Sequence, residues 1–157
     1  MEQAQMAEIY DRLKNTVYRT ALAYCRNVQD AEDITHDVFL KRFAREAPFP
    51  DAESEKAWML RVTVNECKNL LRSFRRRHSV PLEDADELCV TPQEHTLWEA
   101  VCALPAKYRL VIHLYYYEGY SVREIAQMCR KTESAIQTQL YRARKLLRDA
   151  LGEEIIP

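Results

Sequence analysis

The chain has 157 residues, 47% of them hydrophobic and 30% charged, with only two glycines and a formal net charge of −1. That length allows one compact domain or two small ones, and the apolar fraction is ample for folded cores, which excludes a disordered or fibrous polypeptide. The opening MEQAQMAEIYDRLK lacks a basic-then-apolar leader, and no run approaches the roughly 20 apolar residues that span a bilayer, so a cytoplasmic protein without membrane insertion is expected. Leu, Ala, Glu, Arg and Lys abound while alternating Val, Ile and Thr are sparse, which points to an all-α fold.

Residues 2–26 carry Ile9, Leu13, Val17, Tyr18, Ala21 and Leu22 at helical spacing, and Asn27 offers a stop. A second helix is expected from Asp30, whose carboxylate can cap free backbone N–H groups, to about Ala44. Glu32 and Asp33 fall where the helix dipole favours negative charge. PFPDAESE, residues 48–55, reads as a loop before a long helix from about Ser54 to Arg77. Along that helix Ala57, Leu60, Val64, Cys67, Leu71 and Phe74 recur as a buried seam. Arg61, Asn65, Lys68, Arg72 and Arg75 fall on a neighbouring stripe, so one helix carries a core face and a basic face.

Periodicity is lost over HSVPLEDADELCVTPQ, residues 78–93, which holds two prolines and the carboxylates of Glu83, Asp84, Asp86 and Glu87. The expected organisation is a helical domain over 1–78, an acidic linker over 79–93 and a second helical domain over 94–157. Four helices are expected in the second domain, at 94–103, 105–118, 121–129 and 133–150. Pro105 suits a first helical position, Gly119 and Gly152 suit C-terminal caps, and Ser121 with Glu124 forms a capping box.

The near-neutral total conceals strong segregation: residues 68–77 read KNLLRSFRRR, while 82–94 contain no Lys or Arg. Distinct surfaces for distinct partners are expected. Cys25, Cys67, Cys89, Cys102 and Cys129 are scattered without a CxxC pair, and read as reduced, mostly buried thiols rather than metal ligands. His36, His78, His95 and His113 form no ligand or general-base motif, so neither a hydrolytic enzyme, a cofactor nor a small-molecule substrate is expected.

SVREIAQMCRKTESAIQTQLYRARKLL, residues 121–147, has the layout of a helix-turn-helix, with a polar turn near Arg130 to Thr132. Ile136, Leu140, Ala143 and Leu147 turn one face of its second helix inward. Glu133, Gln137, Thr138 and Tyr141 are left outward, with Arg142, Arg144 and Lys145 available for phosphates. The same pattern also fits an ordinary helical hairpin with a solvated face.

The longer stretch LPAKYRLVIHLYYYEGYSVREIAQMCRKTESAIQTQLYRARKLL, residues 104–147, resembles region 4 of RNA polymerase sigma factors, with Arg109, Glu118, Gly119, Ser121, Glu124, Ile125 and Ala126 at matching positions. DAEDITHDVFLKRF, residues 30–43, resembles region 2.2 of that family, and KAWMLRVTVNECKNLLRSFRRR, residues 56–77, resembles regions 2.3 and 2.4. The order and the absence of further domains resemble the small extracytoplasmic-function, or group 4, members of the sigma-70 superfamily. The resemblance implies that Asp30, Glu32, Asp33 and Asp37 bind the clamp coiled coil of core polymerase, with the second domain docking on the flap. It places minus-10 DNA on Lys56, Trp58, Arg61, Asn65, Lys68, Arg72, Arg75, Arg76 and Arg77, with the loop near 47–54 receiving an unstacked base. It places minus-35 DNA on Lys131, Thr132, Glu133, Gln137, Thr138, Tyr141, Arg142, Arg144 and Lys145. An anti-sigma factor is the other partner it implies.

Two departures stand out. A non-glycine residue at the turn around Arg130 implies modest backbone strain, and Gln137 and Gln139 replace basic residues common in the family, lowering the charge of the recognition helix. Trp58 reads either as a packing residue or as a stacking platform, and the arginines at 75–77 either as phosphate contacts or as a solvated helix end. Tyr115, Tyr116 and Tyr117 read as core and rim of one helix, and the acidic linker as a tether or a nucleic-acid mimic. A stand-alone helix-turn-helix regulator is the competing reading, but it leaves residues 30–43 without a purpose.

Overall fold

The computed structural model describes residues 1–78 and 97–152, with only the backbone for 74–78, and the described residues are helical without strands. The linker expected over 79–93 and the helix start expected at 94–96 lie outside the described residues. The chain divides into two compact units, residues 1–71 and 72–157.

In the first unit α1 spans Gln3–Cys25, α2 spans Val28–Ala44 and α3 begins at Ala52, running past that unit's end at residue 71 to His78. α1 packs along α2 through Ile9, Leu13, Val17 and Ala21 against Ala31, Ile34, Val38 and Phe39, all buried. α1 ends because Arg26 turns left-handed (φ 53°) and donates its N–H to the Leu22 carbonyl. The start of α2 differs from expectation: Asn27, not Asp30, is the cap, and its side chain accepts the Asp30 N–H at 2.9 Å. Asp30 is thus the residue whose backbone is capped, because the extended residue before the first turn has to supply the oxygen.

α3 likewise begins earlier than Ser54, since the Asp51 carboxylate accepts the Ser54 N–H at 2.7 Å. That contact, from backbone and side chain of Ser54, holds the Asp51 carboxyl below its usual value. Leu60, Val64 and Cys67 of the expected seam are buried, but Ala57 and Leu71 are only half-buried. Met59, Thr63 and Glu55 complete a broader buried face, with Thr63 returning its hydroxyl to the Met59 carbonyl. The Cys67 thiol is pushed well above its usual range by a hydrogen bond with Cys25 and by burial. Cys25, Cys67, Cys102 and Cys129 take part in no disulfide among the described residues.

Glu55 ties the three helices together. Its carboxylate receives Arg12 of α1 at 2.6 Å and Arg42 of α2 at 2.7 Å, while Lys41 of α2 pairs with Glu66 of α3. Burial pushes the Glu55 carboxyl up, but the hydrogen bonds and charges of Arg12 and Arg42 outweigh it and hold the group below its ordinary value.

In the second unit α4 is Leu97–Ala103, α5 is Ala106–Ile112, α6 is Val122–Cys129 and α7 is Glu133–Leu151. α7 packs on α4, α5 and α6, burying Ile136, Leu140, Ala143 and Leu147 against a core that includes Leu110, Val111, Leu114 and Ile125. Pro105 stands as the cap before α5 rather than as its first residue, with an extended backbone and a carbonyl that accepts the N–H groups of Tyr108 and Arg109. The buried Arg109 guanidinium donates to the Leu104 carbonyl, tying the start of α5 to the residue that precedes its cap.

The helix expected over 105–118 changes pitch at its midpoint. Residues His113–Tyr117 form a π-helical turn, with Glu118 N–H bonded to the His113 carbonyl. Five-residue spacing brings His113 and Glu118 side chains together at 2.9 Å, an alignment that i→i+5 geometry allows and an α-helix does not. Gly119 (φ 79°) then reverses the chain into the Ser121–Glu124 capping box, whose two reciprocal bonds are both 3.1 Å.

Candidate nucleic-acid interface

On α2, Asp33 and Asp37 are exposed and Asp30 half-buried, and their spacing of three and four residues sets them on one stripe. Glu32 is exposed too, but it turns toward a different side, into a groove of about 450 Å³ between α1 and α2 that Tyr10, Lys14, Phe39 and Leu40 also line. The four acids therefore divide three and one.

On α3, Trp58, Arg61, Asn65, Lys68 and Arg72 follow one another at three- and four-residue spacing down the face beside the buried one. Arg61 and Arg72 are exposed, and Lys56, Trp58, Asn65 and Lys68 half-buried. The side chains of Arg75, Arg76 and Arg77 lie outside the described residues. Trp58 is neither a core residue nor a bare platform: its ring lies 5.6 Å from that of Phe49, and the Arg45 guanidinium covers both. Phe49 is also covered by Arg42, whose own charge is fixed by Glu55.

The helix-turn-helix consists of α6, the turn Arg130–Thr132 and α7. Arg130 adopts the left-handed conformation (φ 56°) that its non-glycine identity makes costly. The Thr132 hydroxyl caps α7 by accepting the Ala135 N–H at 3.0 Å. Lys131, Thr132, Glu133, Gln137, Thr138, Tyr141, Arg142 and Lys145 are all exposed, as a reading face requires, and Gln139 is half-buried. Arg144 is different. Its Nε donates to the Tyr116 hydroxyl at 2.7 Å, and its guanidinium lies over the rings of Tyr115 and Tyr116. Of the three tyrosines, Tyr115 is half-buried and Tyr116 and Tyr117 exposed; Tyr115 and Tyr116 meet Arg144 of α7, and Tyr117 stacks on His113.

Sequence reasoning missed the Arg12–Glu55–Arg42 cluster, the Arg45–Phe49–Trp58 cluster and the Arg144–Tyr116 bond. The first and third join residues distant in sequence and the second bridges a loop, and only the burial-facing position of Glu55 on its helix could have hinted at the first. Among the described residues no three His, Cys, Asp or Glu side chains gather as a metal site, and no helix is long and apolar enough to cross a membrane.

Residues 9–78 match the family model for sigma-70 region 2, and residues 94–147 match that for sigma-70 region 4. The chain is 29% identical to the RNA polymerase sigma factor SigV of Bacillus subtilis, covering 90% of this chain and 87% of SigV. It is 26% identical to the ECF sigma factor SigM of Mycobacterium tuberculosis, covering 92% of this chain and 76% of SigM. Among solved structures, the sigma factor RpoE of Bartonella quintana, in complex with the anti-sigma factor NepR, has a TM-score of 0.74 at 20% identity, covering 96% of this chain and 98% of RpoE. CnrH, solved with the cytosolic domain of CnrY, has a TM-score of 0.62 at 24% identity, covering 96% of this chain and 89% of CnrH. With both regions matched in order, the reading as a stand-alone helix-turn-helix regulator gives way: the chain belongs to the sigma-70 family, in its extracytoplasmic-function branch, and is an RNA polymerase sigma factor.

Proposed function

We propose that the first unit grips core polymerase and holds the melted minus-10 strand, and that the second reads the minus-35 duplex. The observation that carries this is that three arrays of exposed and half-buried side chains lie on three helices: an acidic stripe on α2, a stripe of cations, Asn65 and Trp58 on α3, and a polar face on α7. Acids suit a basic polymerase surface, while cations with aromatic rings suit an unpaired strand, whose bases each gain roughly 1–3 kcal/mol by stacking. In this reading Asp30, Asp33 and Asp37 meet the clamp, with Glu32 beside them at the groove. Lys56 to Arg72 and the arginines 75–77 follow the strand, and Lys131 to Lys145 follow the duplex. Arg144 contributes by positioning α7. Domains over 1–78 and 94–157 joined by an acidic linker, work in the cytoplasm and the absence of any catalytic step belong to the same proposal. The described complex of RpoE with NepR supports an anti-sigma partner here as well.

The test is transcription from genomic DNA with purified core polymerase, mapping start sites with and without the chain. Defined new starts are expected, and none at all would refute the proposal. Replacing Asp30 and Asp33 by lysine is expected to weaken core binding at least tenfold, about 1.4 kcal/mol, with an unchanged melting profile. Normal binding by that folded variant would remove α2 from the polymerase interface.

A further inference from the structure

The rings of Phe49 and Trp58 do not stack; they meet at 56° with centroids 5.6 Å apart, leaving an angle between two π faces. The Arg45 guanidinium lies in that angle, 4.1 Å from the centroid of Phe49 and 5.0 Å from that of Trp58. Both rings and Arg45 itself are half-buried, so none of the three is sealed in the core. Trp58 heads the α3 stripe that continues through Arg61, Asn65 and Lys68, so a strand lying along the stripe arrives at the place Arg45 occupies.

The two arginines at this corner are held differently. Arg42 is buried and bonded to the Glu55 carboxylate through both Nε and Nη2. Arg45, immediately after α2, has neutral partners: the two rings and the Ala47 carbonyl, to which its Nε donates at 3.1 Å. A planar cation held by π faces and one carbonyl can be replaced there by another planar group, and a nucleobase is such a group. A guanidinium so released finds a stronger partner in a phosphate, which it can bond through two parallel N–H groups.

We propose that Arg45 is an exchangeable plug: an unpaired promoter base takes its place against Phe49 and Trp58, and the freed guanidinium moves to a phosphate of the same strand. This rests on the reading that α3 holds the melted minus-10 segment. The rings are kept open by the plug before DNA arrives, and Arg45 becomes a DNA contact only once a base has left the duplex.

The test uses holoenzyme assembled from core polymerase and the full chain, native or carrying Arg45→Ala or Arg45→Lys. The probes are a DNA fragment with a promoter mapped as above, once fully paired and once with the minus-10 segment held open by mismatches. Affinity is measured against salt concentration. On the opened probe Arg45→Ala is expected to flatten the log–log slope by about 0.7, one single-strand phosphate contact, whereas Arg45→Lys keeps the native slope. On the paired probe, at a temperature where it stays closed, all three proteins are expected to share one slope. An unchanged alanine slope on the opened probe, an equal fall on both probes, or a lysine variant that behaves as alanine would overturn the exchange. If native holoenzyme does not prefer the opened probe at all, the underlying reading of α3 falls and the exchange with it. If that preference holds while the slopes stay put, the exchange alone falls.

Discussion

The two helices proposed to meet DNA, α3 and α7, are oriented by different physics. Beneath the start of α3 lies a carboxylate, Glu55, shared between guanidinium groups of the two other helices of its unit. Beneath α7 lies an apolar stripe of Ile136, Leu140, Ala143 and Leu147, with a hydroxyl cap at its start and one arginine–tyrosine bond on its flank. The first arrangement concentrates orientation in one group and makes it sensitive to charge. The second spreads it over many small contributions.

The sharpest way to break that contrast is Glu55→Ala, which leaves Arg42 buried without its carboxylate and is expected to destabilise the first unit by about 3–5 kcal/mol. Each unit holds one tryptophan, so fluorescence unfolding followed by Trp58 in a Trp98→Phe background should show the loss. The transition followed by Trp98 in a Trp58→Phe background should stay in place. If both transitions move together, the units do not unfold separately and the contrast fails. Acid probes the same group: because the Glu55 carboxyl lies below its ordinary 4.5, its pairing stabilises fully above that pH and is lost as pH falls through the lower folded value. The Trp58 transition should therefore weaken at acid pH, and Glu55→Ala should remove that part of the dependence.

Smaller effects sharpen the other side. Thr132→Ala removes the cap of α7 and is expected to cost about 1 kcal/mol in the Trp98 transition alone. Smaller still is a gain from Arg130→Gly. Relief of a left-handed cost of about 1–2 kcal/mol is offset by roughly 0.5–1 kcal/mol of extra glycine entropy, leaving about 0.5 kcal/mol in favour of glycine. A loss of stability in that variant would mean that the Arg130 side chain contributes to the turn.

Local chemistry was the part of this fold legible from residues alone. The Ser121–Glu124 box, the left-handed Arg130 and the inward stripe of α7 each follow from neighbours within a few positions. Errors arose where two local signals competed. Asp30 and Ser54 are both good caps, yet Asn27 and Asp51 stand three residues earlier, outside the first turn, where a side-chain oxygen can reach its free N–H groups. The pitch change at His113 was invisible because a π turn preserves apolar character while shifting its phase. The candidate surfaces were legible as stripes of exposed charge, but Arg144 shows the limit: its position on α7 looks outward, and only the fold brings Tyr115 and Tyr116 beneath it.

That capture of Arg144 has a consequence for how the chain would search a chromosome. With one cation turned aside onto tyrosine, the exposed charges left from the turn to the middle of α7 are Lys131, Arg142 and Lys145 against Glu133, a weak magnet for a phosphate lattice. If α7 reads DNA as proposed, its grip on random sequence is then expected to be weak, and most of the chain's phosphate contacts fall to the cations of α3.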